Sequence, residues 1–162
     1  MKPILLFASL LLAFAAVSAT EYPKMGPDLY DPQSDGSKQI ATALLQAKAE
    51  QKNVLLMFGA NWCIWCRRLH HTLETDPAVT SLLREKYVLV LIDVNMRNGK
   101  KRNDEVNGRY GNPIKEGLPV LVVLDAEGRP LVTQETGALE DGKEGHDTAK
   151  VAGFLRQWVP KR

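Results

Sequence analysis

The sequence predicts an α/β domain, a central mixed β-sheet flanked by helices on both faces. Two continuous apolar runs, Val54–Phe58 and Val88–Ile92, alternate with segments of helical period, and a strand–turn–strand signal follows: Pro119–Leu124 and Pro130–Thr133 around Asp125–Arg129. Such runs suit strands covered by helices, and helices alternating with strands call for crossovers that place helices on both sides of a sheet.

The elements follow in order. Residues 1–19 read as a signal peptide: one basic residue, Lys2, an uncharged apolar run from Ile4 to Val17, and small residues at Val17-Ser18-Ala19, with cleavage expected after Ala19. The run is shorter than the ~20 residues of a spanning helix, and no cysteine follows the expected cut to take a lipid. The mature chain is thus expected to be exported and not itself membrane-spanning, with the periplasm as first destination and secretion as second. Residues 20–36, rich in Pro, Gly and Asp, read as an irregular surface lead-in with little function. Residues 37–162 suit one domain.

Ser37 is the expected N-cap of a helix through about Lys52, with Ile40, Leu44 and Ala47 on one face. The first apolar run ends at Gly59, and Cys63 to about Leu73, free of Pro and Gly, fits a helix. A break is expected near Thr75, since Asp76-Pro77 reads as N-cap and first position of another helix through Lys86. Asn95 to Arg109 is a surface helix or loop in which Lys100-Lys101-Arg102 is a solvated face. A polar loop, Gly137–Gly145, leads to a last helix from Asp147 to about Val159, with Val151, Phe154, Leu155 and Trp158 on one face.

Charge is nearly balanced, 21 basic against 19 acidic residues, which argues against nucleic acid or an anionic membrane as partner. The cysteines say more. There are two, three positions apart, so a bridge between them would close a tiny loop and constrain the unfolded chain little. Stapling is a poor reason for the pair even in an oxidising compartment.

Reactivity is a better one. In the first turn of a helix, Cys63 meets unpaired N–H groups and a partial positive charge, which favour thiolate, so Cys63 is the candidate nucleophile. Cys66, one turn further in, is the candidate resolving thiol. Trp62 and Trp65 bracket the pair, as an apolar platform for a partner peptide or as core. Arg67 and Arg68 either add positive potential or face water.

The rival is a metal site, since Cys63, Cys66 and His70 share the spacing of one helical face and His71 adjoins them. Structural zinc takes four ligands, usually from two separated pairs, and a second cysteine pair is missing. No metal is expected, and no cofactor beyond the Cys63–Cys66 disulfide itself. Motifs for a serine or histidine hydrolase and for phosphate binding are absent.

The segment Phe58-Gly59-Ala60-Asn61-Trp62-Cys63-Ile64-Trp65-Cys66, then Tyr110-Gly111, Gly117-Leu118-Pro119 opening a strand, and Gly137-Ala138-Leu139 after the hairpin resemble the thioredoxin family in type and order. The resemblance implies the thioredoxin fold and a thiol–disulfide oxidoreductase. It further implies a cis proline at Pro119 facing the cysteines, with Leu118 and Pro119 binding the substrate backbone.

Departures from the family are also present. Ile64-Trp65 replaces Gly-Pro between the cysteines, Met57 replaces a buried acid, and Leu89 is the expected replacement for a lysine beside it. The stretch from Trp62 to Leu83 looks closest to exported bacterial thioredoxin-like proteins related to periplasmic reductase domains. That subgroup implies disulfide-containing exported proteins as substrates and, for a reductase, a membrane-embedded thiol electron donor. A non-catalytic binding module, or a zinc or copper carrier using the same cysteines, is the competing reading.

Overall fold

The computed structural model describes Tyr22 and residues 24–161; the expected signal peptide lies outside the described residues. Among the described residues four strands form one mixed sheet in the order β2-β1-β3-β4. They are β1 (Asn53–Gly59), β2 (Tyr87–Asp93), β3 (Val120–Leu124) and β4 (Pro130–Glu135). β1 pairs in parallel with β2 and antiparallel with β3, and β3 and β4 make the expected hairpin.

Strand alternation sends successive side chains to opposite faces and so builds two cores. Leu55, Met57, Leu121 and Val123 face one cluster, together with both cysteines, Leu69, Leu73, Val151 and Leu155. Val54, Leu56, Phe58, Val120, Val122 and Leu124 face the other, with Ile40, Ala43, Ala47 and Val106. Helices α2 (Ile64–Thr75), α3 (Pro77–Lys86) and α5 (Thr148–Gln157) thus cover the first face, and α1 (Gly36–Glu50) and α4 (Asp104–Arg109) the second. α5 is fixed by the Tyr87 hydroxyl, which donates to Leu155 O at 2.6 Å, and by Asn53 Nδ2, which donates to Trp158 O at 2.8 Å.

The structure corrects several expectations. The N-cap of α1 is Asp35, whose carboxylate accepts from Ser37 N and Lys38 N; Ser37 has the right chemistry but lies one residue inside the helix. β2 is half-buried along part of its length because it is an edge strand. The residue beside Met57 on β2 is Leu91, not Leu89, which pairs with Leu55. In the Lys100-Lys101-Arg102 run only the lysines are exposed; Arg102 turns inward, donating to Ser34 O at 2.8 Å. The largest correction concerns the lead-in: Tyr30 is 1% exposed and belongs to the core that holds the cysteines.

Candidate active site

β1 delivers the chain to the site. All seven of its residues are buried, and it ends at Gly59, the residue before the turn that carries Trp62 and Cys63. Asp76 caps α3 through Ala78 N and Val79 N and stops α2 at Thr75, as its sequence position implies. At the other end Cys63 is itself the N-cap of α2, in extended conformation, its sulfur accepting from Cys66 N at 3.1 Å. Cys63 therefore stands just outside the helix rather than in its first turn, with the helix N-terminus directed at its sulfur.

Cys63 and Cys66 form a disulfide with Cα atoms 5.3 Å apart. Cys66 is fully buried and Cys63 is 5% exposed, so the outer sulfur is the one a partner reaches first. Trp62, Trp65 and Leu118 pack as partly buried residues on the core that contains both cysteines. The Leu118–Pro119 bond is cis, as the resemblance implies. Val120 pairs with Phe58, so Pro119 falls opposite the end of β1, at the same sheet edge as the disulfide. Its carbonyl accepts from the buried Thr136 hydroxyl at 2.6 Å.

Both tryptophans are held from outside the motif. Trp62 Nε1 donates to Asn95 Oδ1 at 3.1 Å, and the Arg97 guanidinium lies 3.8 Å from its ring centre. Trp65 meets the edge of His146 at 5.7 Å between centroids, and Arg68 lies 4.8 Å from its ring. His146 is 1% exposed, neither ring nitrogen has a hydrogen-bond partner among the described residues, and burial pushes its imidazole down to about 4. It is therefore a neutral packing partner for Trp65 near neutral pH.

Arg67 points neither to water nor at the sulfurs. Almost fully buried, it donates through Nε and Nη2 to Asn61 O at 3.2 and 3.0 Å and through Nη1 to Pro27 O at 2.7 Å. Asn61 completes the clamp: its Oδ1 accepts from Leu29 N and Tyr30 N at 2.9 and 2.8 Å, and its Nδ2 donates to Tyr30 O at 2.8 Å. The lead-in is thereby strapped across the start of α2.

That strap places Tyr30 beneath the disulfide. A Cβ added to Gly59 would come within 3.0 Å of both the Tyr30 hydroxyl and Cys66 Sγ, so only glycine allows the two to share this space. Gly59 pairs with Asp93 across β1 and β2. The Asp93 carboxylate is buried and accepts from Asn95 N at 3.2 Å, its other oxygen being 3.7 Å from Arg102 Nε. Burial raises the Asp93 carboxyl above the usual range. Sequence reasoning passed over Tyr30, Asn61, Asp93 and His146; the one local signal was Asn61, a polar side chain two residues ahead of the first cysteine.

His70 pairs with Glu74 at 3.3 Å and His71 meets the Tyr22 ring edge. The four residues of the metal hypothesis are thus divided between a disulfide and separate surface contacts. Among the described residues no group of three or more His, Cys, Asp or Glu side chains is placed to hold a metal ion, and no helix is long and apolar enough to cross a membrane.

Known proteins are similar in sequence and fold. A disulphide isomerase from Xylella fastidiosa Temecula1 is 32% identical, with a TM-score of 0.68 over 86% of this chain and 98% of its own. The thiol:disulfide interchange protein DsbD of Actinobacillus pleuropneumoniae is 33% identical over 93 residues, which span 57% of this chain but 15% of that protein. The oxidised C-terminal domain of DsbD from Neisseria meningitidis, at 20% identity and a TM-score of 0.54 over 76% of this chain and 96% of its own, shares the fold. The model of the thioredoxin-like family matches residues 35–126, more than half of the chain and the whole path from the cap of α1 through the disulfide to the β3–β4 turn, and the chain belongs to that family.

Proposed function

We propose that this protein is an exported, periplasmic thiol–disulfide oxidoreductase that reduces or exchanges disulfides in other exported proteins through the Cys63–Cys66 couple. The observation that carries the reading is the position of Cys63 Sγ, outermost of the pair and capping α2, with Cys66 buried one turn behind it. Names of the relatives, a disulphide isomerase and thiol:disulfide interchange proteins, support the reaction class.

In the reducing direction, Cys63 thiolate attacks one sulfur of a substrate disulfide; that bond breaks and its electron pair leaves on the substrate's other sulfur, which takes a proton. Cys66, as thiolate, then attacks Cys63 Sγ, releasing the second substrate sulfur and closing the Cys63–Cys66 bond. The substrate gains two electrons and the pair loses two. A membrane-embedded thiol donor fits the return of those electrons. Trp62, Trp65 and Leu118, packed on the core that holds the cysteines, and the cis Pro119 are the proposed substrate contacts, the backbone before Pro119 pairing with an extended substrate segment.

Insulin reduction with dithiothreitol as electron source tests the proposal. Wild-type protein accelerates the reaction, Cys63→Ser abolishes the acceleration, and Cys66→Ser accumulates a mixed disulfide with substrate at Cys63. Acceleration retained by both variants would overturn it.

A further inference from the structure

Several polar atoms buried around the site lack partners, and one of them lies against a reacting sulfur. Among the described residues the buried Tyr30 hydroxyl has no hydrogen-bond partner. Leaving a buried hydroxyl unpaired is unfavourable, and a catalytic role is one reason for a fold to keep such a group. Its surroundings narrow the choice. Asp93 Oδ1 accepts from Asn95 N, while Asp93 Oδ2, 3.7 Å from Arg102 Nε, is itself without a hydrogen-bond partner; Cys66 Sγ is the atom that shares with the Tyr30 hydroxyl the space over the bare Gly59 Cα.

In the disulfide that sulfur carries no charge. When an incoming thiolate attacks Cys63 Sγ, the Cys63–Cys66 bond breaks and its electron pair is left on Cys66 Sγ, in a position with no access to water. A buried thiolate is costly without a donor, and Met57, which shares this core with the cysteines, offers none. Burial, and after it the Asp93 charge, raises the Tyr30 phenol above its ordinary value, so the group keeps its proton and acts as a donor rather than a base.

We propose that Tyr30 is a catalytic residue of the thiol–disulfide exchange, its hydroxyl donating a hydrogen bond to Cys66 Sγ as negative charge develops there. The inference rests on the redox reading of the cysteine pair. It balances without a further reactant: the attacking sulfur bonds to Cys63, the electron pair moves to Cys66, and the Tyr30 proton is shared and not lost. The same bond forms in the reverse step, when Cys66 thiolate attacks the mixed disulfide. Its partner therefore exists along the reaction path and is missing at the disulfide end, which is where the structure finds the hydroxyl alone.

The test is Tyr30→Phe, which removes one oxygen and keeps the ring. Stopped-flow opening of the disulfide by dithiothreitol, and its closure from the mixed disulfide, are expected to slow together by about tenfold, the size of one hydrogen bond to a charged group. The equilibrium potential against glutathione is expected to hold, because the bond serves the path and neither end. The oxidised variant is expected to melt no lower than wild type, since the atom removed was unpaired. Unchanged rates in Tyr30→Phe, beside a wild type that opens and closes normally, would overturn the proposal while leaving the redox function standing. Slower rates with a matching shift of potential, or with a lower melting temperature, would assign the hydroxyl to the ground state or to packing and overturn it equally. A wild-type pair that does not exchange with dithiothreitol would remove the redox reading itself.

Discussion

At the scale of single residues, the polar atoms buried around the disulfide matter more than the charged ones at the surface. His146 is the clearest case. With its imidazole at about 4 in the fold, lowered chiefly by burial and further by Arg68 against the pull of Asp141, the unfolded chain takes up a proton near pH 6.5 that the folded chain refuses. Stability therefore rises with pH through this window; it is fully present above 6.5 and lost as the pH falls toward 4. His70, also lowered by burial, adds to the same trend. Asp93 opposes it, because its carboxyl is raised and its burial becomes less costly as it takes up a proton. His146→Phe keeps an aromatic edge against Trp65 and removes the titration. Urea unfolding at pH 7 and pH 5 is expected to show a smaller acid loss in this variant than in wild type, reduced but not abolished because His70 remains. None of this is legible in the sequence, where His146 is one histidine at the end of a polar loop; which nitrogens lack partners depends on how that loop folds back on α2.

Among the elements, the strands and the α2–α3 break follow from local pattern, and the lead-in does not. The run Val54–Phe58 grows by one residue at each end to become β1, and Asp76-Pro77 ends one helix and starts the next through the caps its chemistry implies. Placement of β2 at an edge escapes the pattern, because an apolar run with helices over both faces reads alike at the centre and the rim. The lead-in escapes it for a different reason: it has no period, and its structure comes from partners far along the chain. Arg67 is the most distant from expectation, a charged residue that chemistry assigns to water and the fold assigns to two carbonyls. Arg67→Met keeps much of the side-chain volume and leaves Asn61 O and Pro27 O without their donor. The expected cost is about 2 kcal/mol in denaturant unfolding, from charge-assisted bonds lost at a buried position. Faster hydrogen exchange at the Leu29 and Tyr30 amides should accompany it, as the clamp on the lead-in loosens.

For the whole molecule, the redox bond and the fold are nearly separate matters. The disulfide links positions three apart, and a ring that small removes little freedom from the unfolded chain. Reduction is expected to lower the unfolding free energy by no more than about 2 kcal/mol, measured by guanidinium unfolding with and without reductant; a much larger drop would mean that the bridge holds the domain together. The two-layer cores, with every residue of β1 and β3 buried, are what hold it. The strap that brings Tyr30 to the sulfur also decides where the molecule can be cut. The family's shared span runs over residues 35–126, yet Tyr30 lies before it, and β4 and α5 lie after it, with Val151 and Leu155 sealing the layer around the cysteines. A chain trimmed to the shared span would keep both sulfurs and lose the walls of their compartment, so the smallest working unit begins ahead of Pro27 and runs through Trp158.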